Sequence, residues 1–437
     1  MLMRTTIGLF AVAVMIFAFQ AWRSAQKDLG RFVRSDTTGY IAAIEYHKEG
    51  GSEAVILKPD GTVQRNGGFV PQGVERDLAW SPDGNFLYFV SDRVDQTFHV
   101  YRWAPSNNQV EPRTTGRRGR SNPSFPSQSV EGAGERVLMT SGGYVIELDP
   151  VDSKTRLVLP PPAQEMTTVD VDSGGGVQSQ LAGVYGQFGQ SFRVARWIKD
   201  DTWVAAVMRR EEQELLLAQS LERDPQGKLA PPAVIAIGQR IEIDVIPSGG
   251  MVYAVMGWQW PVINDQQIEQ IPPEFRKNNR ITTPFANMVG LFIPKTGPVT
   301  EAELKQQATG QPANEGGIVV ASDDPAVAFT TPRVSPDGTR LLLVVGKYEG
   351  DGNVAPQGLL SMPVEAAGGR AGTRILDGPV LEPSWSPDGN LIAFARNEPN
   401  GARSIFTVAK DGSSERRVSS SEGRFGLPVF SPRKSSP

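Results

Sequence analysis

The sequence predicts an all-β chain, folded as a β-propeller of four-stranded blades. Two observations carry this. First, the stretch 78–90, Leu-Ala-Trp-Ser-Pro-Asp-Gly-Asn-Phe-Leu-Tyr-Phe-Val, returns at 332–344 and again at 383–395. Each copy has an apolar residue, Ser-Pro-Asp-Gly, Asn or Thr, and an apolar run, which reads as strand, tight turn, strand. Second, similar strand-rich segments recur along the chain, with first strands centred near residues 79, 125, 197, 245, 334, 384 and 429. One such blade is barely stable alone, whereas blades stacked around an axis share cores and protect their edges. Seven blades is the favoured count. The long gaps 125–197 and 245–334 leave six and eight as alternatives.

The turn has a mechanical reading. Pro fits the second position because its φ is fixed, Asp bonds nearby amides, and Gly supplies a positive φ. Pro82, Asp83 and Gly84 do this in the second blade, Pro336, Asp337 and Gly338 in the sixth, and Pro387, Asp388 and Gly389 in the seventh. Trp80 and Trp385 precede two of the turns and are expected in the core between blades, as is Trp197.

Taken in order, residues 1–27 contain an apolar run, Thr5 to Phe19, between Arg4 and the pair Arg23 and Lys27. It reads best as a signal-anchor or transmembrane helix, with a cleaved signal and a core helix as alternatives. The expectation is a single-pass cell-membrane protein with its propeller on the extracytoplasmic side, secreted if the signal is cleaved. Residues 28–39 read as a linker, 40–432 as the propeller and 433–437 as a tail. No Ser-Pro-Asp-Gly strand precedes Tyr40, but Leu-Pro-Val-Phe-Ser-Pro at 427–432 supplies a truncated one. The C-terminal strand is therefore expected to complete the first blade and close the ring. A loop is expected at 160–192, and insertions at 259–287 and 297–326.

Composition narrows the chemistry. The chain has 437 residues, 39% hydrophobic, with a net charge of −4, which gives no general attraction to nucleic acid. There is no cysteine, so disulfides, thiol chemistry and Cys-ligated metals are excluded. The two histidines, His47 and His99, read as surface or blade residues. Asp170 and Asp172 precede Ser173 and three glycines, a weak calcium-loop candidate; no cofactor is otherwise expected. No Gly-x-Ser-x-Gly elbow is present.

The Ser81, Ser335 and Ser386 copies of the motif resemble the propeller repeats of the TolB family. Val334 departs from the aromatic that stands before the motif, and Phe430-Ser431-Pro432 resembles a truncated copy. The resemblance covers roughly 40–432 and implies the propeller; nothing here resembles the α/β domain that precedes it in TolB itself. The same repeat type occurs as the gating domain of prolyl oligopeptidase-like enzymes, but no hydrolase domain is expected after it here. TolB is a periplasmic interaction protein, so the resemblance leads to an expectation of a non-catalytic propeller that binds or scaffolds another envelope protein, or a cell-wall glycan. The alternative is a carbohydrate- or peptide-acting hydrolase or lyase using loop carboxylates. Two groups are candidate partner-binding residues. Arg113, Arg117, Arg118 and Arg120 crowd the link between the second and third blades and suit acidic surfaces. Trp258, just before the 259–287 insertion, and Trp260, at its start, suit a protein interface.

Overall fold

The computed structural model describes residues 39–68, 70, 72–126, 136–149, 154–162, 181–188, 191–199, 202–258, 276–277, 280–281, 287–294, 315–322, 324–365 and 372–432. Within them, the three Ser-Pro-Asp-Gly copies close the same turn. The serine hydroxyl donates to the aspartate Oδ1 at 2.6 Å in Ser81–Asp83, 2.5 Å in Ser335–Asp337 and 2.6 Å in Ser386–Asp388. It also accepts the amide five residues on, from Phe86, Arg340 and Leu391. The aspartate accepts the amide two residues on, from Asn85, Thr339 and Asn390. Gly84, Gly338 and Gly389 sit at φ of 69°, 74° and 67°, where a Cβ costs about 1–2 kcal/mol.

The three turns join the first two strands of blades 2, 6 and 7, and the described strands form seven antiparallel four-stranded sheets. Blade 1 contains β1 (Ile41–Tyr46), β2 (Ser52–Leu57), β3 (Val63–Arg65) and the last strand, β30 (Phe425–Phe430), in the order β3-β2-β1-β30. Blade 2 is β4 (Glu75–Trp80), β5 (Leu87–Ser91), β6 (His99–Ala104) and β7 (Gln109–Pro112). Blade 3 is β8 (Ser121–Ser124), β9 (Val137–Ser141), β10 (Tyr144–Leu148) and β11 (Thr155–Leu159). Blade 4 is β12 (Ser191–Lys199), β13 (Trp203–Arg210), β14 (Gln213–Ser220) and β15 (Ala233–Gly238). Blade 5 is β16 (Arg240–Val245), β17 (Met251–Met256), β20 (Asn287–Ile293) and β21 (Glu315–Ala321). A pair of two-residue strands, β18 (Arg276–Lys277) and β19 (Arg280–Ile281), lies in the excursion between β17 and β20. Blade 6 is β22 (Val327–Val334), β23 (Arg340–Gly350), β24 (Asn353–Pro363) and β25 (Thr373–Asp377). Blade 7 is β26 (Leu381–Trp385), β27 (Leu391–Asn397), β28 (Arg403–Ala409) and β29 (Arg416–Arg417).

The first strand of each blade touches the first strand of the next: β4, β8, β12, β16, β22, β26 and β30, then β4 again. This is a closed ring. β30 pairs with β1 through Ile41↔Phe430 and Ala42↔Val429, so strands from the two ends of the described chain share one sheet. The cores lie between blades, because each sheet buries both faces. Leu138, Val145, Trp197 and Leu217 fill the space between blades 3 and 4; Val194, Trp203, Ile241 and Phe292 fill that between blades 4 and 5. A short helix, α1 (Ala182–Phe188), adds Tyr185 to the first of these, with Leu181 just before it, and Tyr185 Oη reaches Gln219 Oε1 at 3.0 Å.

Two expectations are corrected. The fold was expected to carry one N-terminal apolar helix, and the chain to be a single-pass cell-membrane protein with an extracytoplasmic propeller. Among the described residues no helix is long and apolar enough to cross a membrane. α1 has seven residues and serves the core between blades. The apolar run at 5–19 lies outside the described residues, as do all but Gly39 of the linker at 28–39 and the tail at 433–437.

Candidate functional site

Antiparallel connectivity sorts the loops onto two ends of the ring. Turns after the first and third strands of a blade lie at one end; turns after the second strand and the links between blades lie at the other. The first end holds tight, aspartate-capped turns. Asp60, Asp83, Asp337, Asp388 and Asp411 each accept the backbone amide two residues on. It also holds the c–d excursion of blade 5, whose residues 295–314 lie outside the described ones. Hydrogen bonds hold the Asp337 carboxyl below its usual range, from Ser335 first and then Thr339. At Asp388 burial acts upward, but hydrogen bonds from Ser386 and Asn390 outweigh it and the net direction is down.

The second end is the irregular one. It carries the β17–β20 excursion, the tip of the long β23–β24 hairpin, and the links that hold Val70 and Arg113 to Arg120. Val94, in the β5–β6 turn, is 76% exposed, and Val70 in the neighbouring link is 41% exposed. The two segments are bonded together: Val74 N donates to Asp92 Oδ1 at 2.7 Å and Asp92 N to Val74 O at 3.4 Å. The basic link docks on the far side of the same turn, where Arg120 N donates to Phe98 O at 2.8 Å.

The four arginines of that link divide. Arg120 is buried, with Nη1 donating to Ser141 Oγ at 2.9 Å and to Arg118 O. Arg113 is half-buried and lies 3.8 Å from Glu111. Arg118 is half-buried over the Tyr144 ring at 5.7 Å, and Arg117 is exposed. Arg120 thus works inside the fold, while Arg117 is exposed. Trp258 lies at the same end but on blade 5, half-buried against the core between blades 4 and 5. Trp260 lies outside the described residues, as do the calcium-loop candidates Asp170 and Asp172. His99 is buried with Nε2 3.3 Å from Asp95 Oδ2. Trp80 and Trp385 bridge blades: their Nε1 atoms donate to Val429 O at 3.1 Å and Arg333 O at 3.0 Å.

The central channel holds side chains that the motif did not single out. In blades 1, 2, 3, 6 and 7 the innermost strand has a bulge with a left-handed residue: Leu427, Asp77, Asn122, Thr331 and Glu382. Carboxylates at this level cap the next blade's bulge. Asp77 Oδ2 accepts Asn122 N at 3.1 Å, Glu242 Oε2 accepts Thr331 N at 2.6 Å, and Glu382 Oε2 accepts Leu427 N at 2.6 Å. These acids are acceptors that tie blades together. The spacing of acids before an inner hairpin is the only sequence signal for them, and it is weak without the ring.

One group of acids converges at the blade 1–2 junction. Glu45 and Glu53 face each other across β1 and β2. Glu53 is buried, and burial, opposed by Arg65 but aided by Glu75 and Glu45, pushes its carboxyl up to about 7. Glu75 is raised by burial against Arg93, its ion-pair partner. Its Oε2 accepts Ala54 N at 2.8 Å and Asn66 Nδ2 at 2.7 Å, which fastens β4 to β2. At the seam between blades 7 and 1 there is a cavity of about 40 Å³, lined by Ile41, Leu57, Leu391, Val418 and Phe430 with Arg416 and Lys58. Its volume suits one or two waters. Among the described residues, no three of His, Cys, Asp or Glu come together as a metal-ligand set.

No family model matches the sequence. Among solved structures, the chain is similar to a puromycin-hydrolyzing peptidase of Mycobacterium tuberculosis, at 9% identity and a TM-score of 0.50, over 89% of this chain and 54% of that one. It spans about half of that peptidase. TolB from Acinetobacter baumannii matches at 13% identity and a TM-score of 0.45, over 91% of this chain and 68% of that one. An oligogalacturonate lyase in complex with manganese matches at 10% identity and a TM-score of 0.49, over 88% and 86%. At such identities likeness concerns the fold alone, and the fold is a seven-bladed propeller.

Proposed function

We propose that this propeller is a non-catalytic scaffold that binds another protein through the irregular end of its ring. One observation carries the reading: Val94 stands 76% exposed in the β5–β6 turn, and the links that hold Val70, 41% exposed, and the exposed Arg117 emerge at the same end of the ring. Exposed apolar side chains and arginine at one end of the ring are residue types that protein interfaces favour. A rigid ring bearing irregular loops at one end is a common way to present such a surface. An acidic or mixed protein face complements it. The test is quantitative affinity capture of the full chain from its native source. Val94→Asp with Arg117→Glu is expected to lose a co-purifying protein at least tenfold, while Asp411→Lys at the other end retains it. Equal recovery from both variants would overturn the proposal.

A second reading, a hydrolase or lyase using carboxylates, has one observation in its favour: the Glu53 carboxyl is pushed up to about 7 beside Glu45 and Glu75. Burial of Glu53 behind paired strands supports a structural role instead. A Glu53→Gln protein that lost a detectable glycan- or peptide-cleaving activity while keeping its fold would favour the second reading.

A further inference from the structure

The innermost strands carry one set of charges that is not balanced. Glu75 is matched by Arg93, Asp77 by Arg76, Arg193 by Glu214, Glu242 by Arg240 and Glu382 by Arg403. Lys199 sits at the turn that ends its strand. The exception is at a single level of the ring, the residue that precedes the apolar or aromatic closing residue of each inner strand. In blades 1, 2, 3 and 7 that residue is Val429, Ala79, Ser124 and Ser384; in blades 4, 5 and 6 it is Arg196, Asp244 and Arg333. Two guanidiniums therefore flank one carboxylate on one side of the channel, opposite small or uncharged residues.

The carboxylate is partly committed. Asp244 Oδ2 accepts Val334 N at 2.7 Å. Arg196 and Arg333 each give Nη1 to one backbone carbonyl, Ala195 O and Pro332 O, both at 2.8 Å. Among the described residues no ion pair joins either guanidinium to Asp244, and all three residues are half-buried. Burial lowers Arg196 to about 10, with Asp244 opposing and the like charge of Arg333 assisting. Asp244 in turn feels both arginines.

We propose that Arg196 and Arg333 form an anion-binding site in the central channel whose ligand is a monoanionic carboxylate. A guanidinium has five donors in a planar fork that matches a carboxylate, and most of those donors are uncommitted on both residues. The set of two arginines and one aspartate carries a single positive charge, which a monoanion neutralises and a phosphate dianion overshoots. The carboxylate's source is either a free small acid or the C-terminus of a peptide.

The experiment titrates the full chain by calorimetry with propionate, with the dipeptide acetyl-Ala-Ala, with its C-terminal amide, and with inorganic phosphate. Binding of propionate or of the free-acid peptide is expected, at least tenfold tighter than binding of the amide. Propionate alone assigns a small acid; the peptide alone assigns a chain end. Arg196→Lys and Arg333→Lys are each expected to weaken binding about tenfold, since the charge stays and the fork is lost. In the unsubstituted protein, NMR shifts of the Arg196 and Arg333 guanidinium nuclei on adding propionate read the site without reliance on a variant's folding. Phosphate binding tighter than either acid would overturn the carboxylate assignment. No binding, equal binding of the amide, or unmoved guanidinium signals would overturn the site.

Discussion

Asp337 and Asp388 hold their turns by accepting a hydroxyl and an amide each, and those bonds draw their pKa values down. A carboxylate whose folded pKa is depressed contributes stability above its unfolded pKa and loses it as pH falls through the folded value. Asp337→Ala is expected to cost about 1–2 kcal/mol at neutral pH, and less in acid, as read by denaturant unfolding. Glu53 runs the other way. Its carboxyl is raised from 4.5 to about 7, so the folded state holds a proton that the unfolded state has released. Its contribution is most favourable below pH 4.5 and falls as pH rises to 7. Glu53→Gln is expected to stabilise the protein at pH 8 by roughly 1–3 kcal/mol and to flatten the pH slope between those values. An unchanged slope would contradict the buried-acid reading.

The inner hairpins were legible because their turn chemistry is local: Ser, Pro, Asp and Gly each have a separate task within one turn. Trp80 and Trp385 were legible as inter-blade residues because they recur at one register, and each donates to the blade before it. Trp385→Phe is expected to remove that bond and lower stability by about 1 kcal/mol, measured by thermal unfolding. The bulge carboxylates were not legible. Asp77, Glu242 and Glu382 find their acceptor role only when strands far apart in sequence become neighbours around the axis. Glu382→Ala leaves Leu427 N and Arg403 without their carboxylate and is expected to cost about 2–3 kcal/mol, whereas Glu382→Gln keeps an acceptor and costs less.

Ring closure joins β30 to β1 across the whole described chain. That closure sets the loops at two ends; among the described residues Asp60, Asp83, Asp337, Asp388 and Asp411 cap turns at one, and the links that hold Val70 and Arg113 to Arg120 lie at the other. Arg113, Arg117, Arg118 and Arg120 looked equivalent as a run of sequence; the fold buries Arg120 and turns Arg117 out. Val94 carried no motif, and its exposure depends on where the β5–β6 turn meets the ring end. The Trp258 side chain, by contrast, is half spent on the core. The measurement that bears most directly on a partner-binding end is photo-crosslinking in the native cell, with the reactive residue placed at Val94 or at Asp411 on the opposite end. A discrete protein adduct from Val94, absent from Asp411 and lost with Arg117→Glu, is the result the fold predicts. The same adducts from both positions, or adducts from Asp411 alone, would contradict it.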